Sequence, residues 1–334
     1  MKKMFIILSI FILNCIYFPQ INQADEANSF FVTPVIPAEQ EDSELGYFDL
    51  LVKPSEQRTV QIAITNSSDK SQKFNINLNS ATTNMNGVID YEQVRKDHDY
   101  NLPINFSEIS SYPDEVEVAP KEQKLVDITL KLPEKSFSGM ILGGISVTPV
   151  DNAKDENTNK LAYLIAICLT EKKEPIQPKI ILEEVFLDQT NYRNIIKSKL
   201  INSAPMIISD VEIRAQITKK NNKKVLYEST VSNQKMAPNS AFDFPIELND
   251  QFRPGDYTVT LDIKTEKDRF ELSKDFKIET EKAAKLNKES VDEPKNVPIH
   301  LYVMIILGVL VLALLLTLIF VMRKKKKEKE PESK

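Results

Sequence analysis

Residues 53–70 read KPSEQRTVQIAITNSSDK, and their pattern indicates the fold class. Within it the apolar residues Val60, Ile62 and Ile64 occupy every second position. Successive side chains of a strand point to opposite faces, so this spacing predicts a β-strand with one buried face. The Lys53-Pro54 pair before the strand and the polar residues after it predict turns at both ends.

The same period of two recurs along most of the chain, which predicts an all-β protein. A proline and a polar turn precede several of the alternating segments, a weak internal repeat that indicates two domains of one kind. We predict two tandem immunoglobulin-like β-sandwich domains, over residues 25–172 and 176–280, with a boundary in the charged EKKEPIQPK of residues 171–179. Further alternation lies at residues 74–78, 126–132, 211–217, 242–248 and 257–263.

The two ends of the chain predict export and membrane anchoring. Residues 1–24 have a basic start, an apolar run and a closing small residue, the layout of a secretory signal peptide. Residues 300–322 contain no Asp, Glu, Lys or Arg and predict a C-terminal transmembrane helix, in preference to a buried core helix. The basic residues 323–334 predict a cytoplasmic tail, and the charged residues 281–299 a flexible stalk. The predicted localisation is single-pass in the cell membrane, with both domains outside.

Charge and cysteine content narrow the partners and the compartment. The formal net charge is −5 although the predicted tail is basic, so the outer part is acidic and nucleic acid is not an expected partner. Only Cys15 and Cys168 occur, and Cys15 lies in the predicted signal peptide. Secreted eukaryotic modules of this size often use disulfides, so the composition favours a bacterial surface, with Cys168 as a small buried hydrophobic residue.

No set of residues in the sequence indicates an enzyme. His98 lies in a charged cluster and His300 at the predicted membrane edge, so neither a histidine triad nor a histidine metal site is expected. The acidic DNAKDENTNK of residues 151–160 lacks the glycine and closing glutamate of a calcium loop and predicts a solvated hairpin loop. We expect no catalytic residue, no metal site and no cofactor, and by default a binding or adhesion module.

One polar hairpin is the candidate contact site. ATTNMNGVIDY, residues 81–91, contains Asn86-Gly87, a pair typical of a two-residue β-hairpin turn. The first interpretation is a turn with a structural role only. The second is a binding surface, because neutral hydrogen-bonding side chains suit a glycan or a strand edge. The candidate binding residues are Thr82, Thr83, Asn84 and Asn86.

Six segments carry a family resemblance that covers essentially the whole chain. GYFDLLVKPSEQRTVQIAITNSSDK (46–70), ATTNMNGVIDY (81–91) and GMILGGISV (139–147) resemble the first domain of the WxL-interacting proteins of Gram-positive bacteria. Three further segments resemble the second domain of these proteins: KVLYESTVSNQKMAPNSAFDFPIEL (224–248), PGDYTVTLDIKT (254–265) and KDFKI (274–278). The order of signal, two domains, apolar segment and basic tail matches as well.

The resemblance implies a membrane-anchored surface protein that binds. It implies a first domain that binds peptidoglycan, a second domain that binds host components such as extracellular matrix proteins, and partnership with WxL-domain surface proteins. The family's second domain usually carries a Trp before its KDF strand, whereas this chain has Phe270 there and no Trp. A contact that needs the indole N–H would therefore be lost. Because WxL domains are named for their Trp, this chain is expected to be the partner of such a domain.

Two other functions stay open at this point. A structural or chaperone-like subunit would assemble surface complexes without a wall ligand of its own, and its assemblies would persist after the wall is digested. A wall-degrading enzyme would release muropeptides, which the missing acid–base set disfavours.

Overall fold

This computed structural model describes residues 30–95, 99–150, 161–291, 304, 306–317 and 319. The predicted signal peptide, the predicted loop at residues 151–160, the end of the predicted stalk and the basic tail lie outside these residues. Within the described residues the chain is built mainly of β-strands, so the all-β prediction is confirmed.

The first β-sandwich contains two main sheets, a 3-10 turn at Asp99–Asn101 and a short helix α1 at Phe106–Ile109. Its described strands are β1 Phe30–Val35, β2 Phe48–Leu51, β3 Gln57–Asn66, β4 Gln72–Ser80, β5 Thr82–Thr83, β6 Ile89–Asp90, β7 Ser110–Ser111, β8 Glu115–Val118, β9 Gln123–Lys131, β10 Met140–Pro149 and β11 Tyr163–Thr170. One sheet has the order β1-β3-β9-β7 and the other the order β2-β11-β10-β4-β8. β5 and β6 pair only with each other among the described strands.

The alternating apolar residues form the core between these two sheets. Val60, Ile62 and Ile64 of β3 are each at most 1% exposed. They belong to one apolar cluster with Phe74 of β4 and Phe106 of α1. Burying an Ile, Val or Phe side chain fully contributes roughly 1.5–3 kcal/mol, so these contacts hold the sheets together.

The second β-sandwich repeats this plan with longer strands. Its described strands are β12 Ile180–Thr190, β13 Arg193–Asn202, β14 Ile208–Lys219, β15 Val225–Met236, β16 Ser240–Glu247, β17 Gly255–Lys264 and β18 Arg269–Ile278. The sheets have the orders β12-β13-β16 and β15-β14-β17-β18, and they enclose an apolar cluster of their own. Phe270, which the sequence singled out, is partly buried against this cluster.

A helix follows the second sandwich where a flexible stalk is predicted. Helix α2, Thr280–Glu289, buries Ala283 against the second core. Its Asn287 accepts from the backbone N–H of Phe252 at 2.8 Å and donates to the carbonyl of the same residue at 2.9 Å. The side chain of Asn194 donates to Asn287 at 3.0 Å. These contacts hold the start of the charged segment against the second sandwich. Burial of Ala283 and the hydrogen bonds of the Asn287 side chain stabilise the helix there although most of its residues are polar or charged.

The transmembrane helix predicted over residues 300–322 is wrong. No helix among the described residues is both long and apolar enough to cross a membrane. The single-pass anchoring predicted from that helix is unsupported for the same reason.

Candidate functional site

The predicted hairpin forms between β5 and β6, but its turn differs from the prediction. Asn84 and Val88 pair across it, with the N–H of Asn84 donating to the Val88 carbonyl at 2.9 Å. The loop is therefore Met85, Asn86 and Gly87, closed by a 2.9 Å bond from the Gly87 N–H to the Asn84 carbonyl. Gly87 alone of the three has positive φ, 63°. A two-residue type I′ turn needs positive φ at both central residues, so the Asn86-Gly87 prediction is wrong about turn type.

The four predicted contact residues occupy different environments. Thr83 is 5% exposed, whereas Asn86 is exposed at the tip. Thr82 is half-buried and its hydroxyl donates to the carbonyl of Asp90 at 3.3 Å. Asn84 is half-buried, and its side-chain oxygen accepts from the backbone N–H of Asn86 at 3.0 Å. The hairpin thus keeps Asn84 near the surface and sends Thr83 inward.

Thr83 enters the second sandwich at the bend between β15 and β16. Its Oγ1 accepts from the backbone N–H of Ala237 at 2.9 Å and lies 2.7 Å from Oγ of Ser240. The Ser240 hydroxyl donates to the Ala237 carbonyl at 2.8 Å, so the Thr83 hydroxyl donates to Ser240. All these groups are buried, and each bond removes the cost of an unpaired buried polar group, about 1–3 kcal/mol.

Two glycines allow the backbones of the two sandwiches to touch. The carbonyl of Gly87 accepts from the N–H of Lys235 at 2.7 Å. The N–H of Met140 donates to the carbonyl of Pro205 at 2.8 Å. Gly139, just before Met140, has φ 73°, and a Cβ there would lie 2.4 Å from that carbonyl oxygen. Only a residue without a side chain fits this close approach.

Arg95 and Asn239 link the sandwiches on the other side of the hairpin. Nη2 of Arg95 donates to the carbonyl of Asn239 at 2.9 Å, and Nη1 donates to the carbonyl of Ala81 at 3.4 Å. Asn239 is 3% exposed, and its side-chain nitrogen donates to the carbonyl of Tyr100 at 3.3 Å. Asn239 and Tyr100 both have left-handed φ, 48° and 59°. The second sandwich therefore holds the 3-10 turn of the first.

The adjacent glycines of β10 hold the hairpin on its own sheet. A Cβ on Gly144 would lie 2.5 Å from the ring of Tyr91, the last residue of the hairpin segment. A Cβ on Gly143 would lie 2.5 Å from the ring of Phe106. Neighbouring strand residues face opposite sides, so each glycine admits one aromatic ring to one face of β10.

A small apolar cluster lies beneath Tyr91. Ala81, Leu142 and Cys168 of the first sandwich are buried in it against Ala237 of the second. Burial first, and then the nearby Asp49 carboxylate, raises the pKa of the Cys168 thiol to about 12. The thiol is therefore protonated at neutral pH and acts as a small apolar residue.

We call these contacts the domain joint: Thr83, Gly87, Arg95, Gly139, Met140, Pro205, Lys235, Ala237, Asn239 and Ser240. Sequence reasoning singled out only Thr83 among them for a contact. The ATTNMNG, GMILGG and KMAPNS segments were available as signals, since all three carry turn residues and resemble one family. Their mutual contact links positions more than 150 residues apart in places, as at Thr83 and Ser240.

Beside the joint lies a cleft of about 350 Å³ shared by both sandwiches. The side that belongs to the first sandwich includes Asn84, which the sequence singled out, and Tyr100. The opposite side includes Lys199 of β13 and Asp243 of β16. Among the residues that the structure describes, no group of three or more His, Cys, Asp or Glu is placed to hold a metal ion.

Lys199 is the charged centre of the cleft. Its side chain is 28% exposed, and the nearest carboxylate among the described residues, that of Glu183, is 3.7 Å away. Burial lowers the pKa of Lys199, but nearby Tyr100, Glu183 and Asp243 together outweigh burial and raise it. The ammonium is therefore charged at neutral pH, with the carboxylates of Glu183 and Asp243 nearby.

Two family models match this chain in tandem. A model described as the WxL-interacting protein peptidoglycan-binding domain matches residues 30–149, and one described as the WxL-interacting protein host-binding domain matches residues 155–288. Together they cover well over half of the chain. The chain belongs to the WxL-interacting protein family. In this WxL-interacting protein, the joint is formed by segments that resemble the family in both domains.

Solved structures with limited similarity to this WxL-interacting protein include bacterial chaperones. A chain from a chaperone–tip adhesin complex of CFA/I fimbriae biogenesis is 12% identical, with a TM-score of 0.31, covering 71% of this chain and 98% of that one. The E. coli chaperone DraB is 11% identical, with a TM-score of 0.28, covering 75% and 98%. A chain of the CsuC–CsuE pre-assembly complex of Acinetobacter baumannii is 9% identical, with a TM-score of 0.32, and the match covers 64% of this chain and 89% of that one. No curated protein matches this chain.

Proposed function

We propose that this WxL-interacting protein is a non-catalytic binding protein of the bacterial cell surface that binds peptidoglycan. The observation that carries the proposal is the tandem match to the peptidoglycan-binding and host-binding domain models of one family. Export is in keeping with the signal-like start of the sequence.

The cleft beside the joint supports a binding role. It presents hydrogen-bonding groups from both sandwiches in a concave surface, the kind of site at which ligands bind between domains. Asn84 lines it, and Thr82 and Asn86 lie on the same hairpin, so these three remain predicted contact residues. Thr83 contributes by holding the hairpin in place.

Sedimentation of the full chain with purified sacculi tests wall binding. We expect the protein to pellet with sacculi at micromolar concentration, and to stay soluble once the glycan has been digested to small fragments. Protein that stays in the supernatant with intact sacculi would refute wall binding. Muropeptides released by the protein alone would instead identify an enzyme.

We further propose that the chain partners a WxL-domain surface protein and that its second domain contacts host extracellular matrix proteins. Both rest on the descriptions of the family models. Mixing the full chain with a purified WxL domain should give a complex on size exclusion that forms with or without sacculi. A complex that forms normally while neither sacculi nor matrix proteins are bound would favour the alternative, an assembly subunit without a wall ligand of its own.

A further inference from the structure

We propose that the cleft beside the joint is a composite sugar site that takes one uncharged N-acetylated sugar of the wall glycan, with half of the site supplied by the second domain. The inference rests on the proposed peptidoglycan binding. It differs from the family descriptions because they give peptidoglycan binding to the first domain alone. The residues that carry it are Asn84, Met85, Gln93, Tyr100, Lys199 and Asp243.

The size of the cleft fits a small polar ligand. Its volume of about 350 Å³ is at the lower end of ligand pockets, which span about 300–1,000 Å³. The cleft is open to solvent on one side, since Gln93 and Met85 on its rim are exposed. A ring within a longer chain can therefore enter while the rest of the chain stays outside.

The charges in the cleft favour a neutral ligand over an ion. Lys199 supplies the positive charge, whereas Asp243 lines the same cleft and Glu183 lies 3.7 Å from the ammonium. Carboxylates therefore offset the lysine, and an added anion would meet repulsion from them. The Lys199 ammonium can only donate hydrogen bonds, and the Asp243 carboxylate can only accept them. A sugar hydroxyl does both, so the two side chains together suit hydroxyl groups.

The amides and Met85 fit an N-acetyl group. The side-chain oxygen of Asn84 is taken by the N–H groups of Asn86 and Val88, so its NH₂ is the part left to donate to an acetyl carbonyl. Gln93 is exposed on the same wall and offers both a donor and an acceptor for the acetamide. Met85 is 38% exposed and supplies apolar surface for the methyl group.

The joint holds the two halves of the cleft in a fixed geometry. Thr83, next to Asn84, is bound to Ala237 and Ser240. Tyr100 is held by the side chain of Asn239. A site whose walls are fixed before binding loses less ordering entropy when the ligand enters, which favours affinity from few contacts.

A ligand-observed NMR titration of the full chain with triacetylchitotriose tests the composite site. Cellotriose is the matched ligand control, because it keeps the sugar rings but lacks the N-acetyl groups. We expect triacetylchitotriose to bind at least about tenfold more tightly than cellotriose, since each lost hydrogen bond to a charged group or amide costs about one factor of ten.

Two variants from opposite walls, Lys199→Gln and Gln93→Ala, should each weaken triacetylchitotriose binding about tenfold. Lys223→Gln is the control variant, because Lys223 is an exposed lysine of the second sandwich outside the cleft. Unchanged thermal melting of all three variants would exclude an effect through folding.

The same variants, sedimented with sacculi, separate this inference from the proposed function. Wild-type protein that pellets with sacculi while neither cleft variant changes either assay would overturn the composite site and leave wall binding intact. Equal affinity for the two trisaccharides would overturn the N-acetyl assignment. Absence of any sacculus binding would refute the proposed function, and the composite site with it.

Discussion

The joint and the cleft adjoin each other and share one hairpin, but their polar groups differ in how closely other protein groups bind them. In the joint, the buried hydroxyl of Thr83 both accepts and donates a hydrogen bond within 3.0 Å. In the cleft, the ammonium of Lys199 has no carboxylate among the described residues closer than 3.7 Å. A buried polar group needs a protein partner, whereas a group at an open cleft can exchange water for a ligand. The contrast separates what holds the domains together from what is free to bind.

The largest expected effect comes from Gly139→Ala in the joint. The alanine would hold φ at 73° and place its Cβ 2.4 Å from the Pro205 carbonyl oxygen. We expect a loss of about 3 kcal/mol in the free energy of unfolding, because strained backbone and a clash with main chain act together. Denaturant unfolding measures it. The control is Gly46→Ala, where nothing lies within 4 Å of the added Cβ; equal losses at both positions would show that the close approach is unimportant.

Next in size is Thr83→Val, which keeps the shape of the side chain and removes its hydroxyl. The Ala237 N–H would lose its partner in a buried place, at a cost of about 2 kcal/mol. Thr82→Val on the same hairpin is the control, because Thr82 is half-buried and makes one 3.3 Å bond. Similar melting temperatures for the two variants would contradict the role given to Thr83.

A smaller effect of opposite sign is expected at Ser198, an unpaired hydroxyl outside both regions. Ser198 is fully buried in β13, and its Oγ has no hydrogen-bond partner among the described residues. Ser198→Ala should raise the free energy of unfolding by about 1 kcal/mol, since a buried unpaired group is removed. Sacculus binding should not change, because the Ser198 hydroxyl is fully buried and no ligand can reach it. A destabilised Ser198→Ala protein would show that the hydroxyl has a partner in solution.

The smallest effect concerns Tyr91 and is expected only at alkaline pH, not at neutral pH. Burial first, and then the electrostatic effect of Cys168, raises the pKa of Tyr91, on the small apolar cluster outside the joint, to about 12. The unfolded tyrosine ionises near pH 10, so the folded state binds more protons between the two values and stability falls as pH rises from about 10 to 12. Tyr91→Phe keeps the ring over Gly144 and should lessen that fall in unfolding experiments. The control is Tyr192→Phe, whose ring is 69% exposed; an equal lessening there would contradict the assignment.

Much of each sandwich follows from local pattern, because alternation reports which face of a strand is buried. Val60, Ile62 and Ile64 are buried as their spacing predicts. The apolar composition of residues 300–322 predicted a membrane-spanning helix, and no helix among the described residues is both long and apolar enough to cross a membrane. Helix α2 was missed because its buried face is narrow, with Ala283 as its buried residue.

The candidate site was predictable in place but not in role. The hairpin is polar and small, and this directs attention to Thr83 and Asn84 together. Which of the two is buried depends on Ala237 and Ser240, which belong to the other sandwich and follow after more than 150 residues. Periodicity carries no information about such a contact. Lys199 was missed because its neighbour Asp243 is brought close only by the pairing of β13 with β16.

A double-mutant cycle between Thr83→Val and Ser240→Ala tests whether the two family domains are joined through this hairpin. The two oxygens are 2.7 Å apart, and both hydroxyls also bond to the backbone of Ala237. We predict a coupling free energy of about 1 kcal/mol or more in denaturant unfolding. Additivity of the two single effects within about 0.3 kcal/mol would contradict the joint.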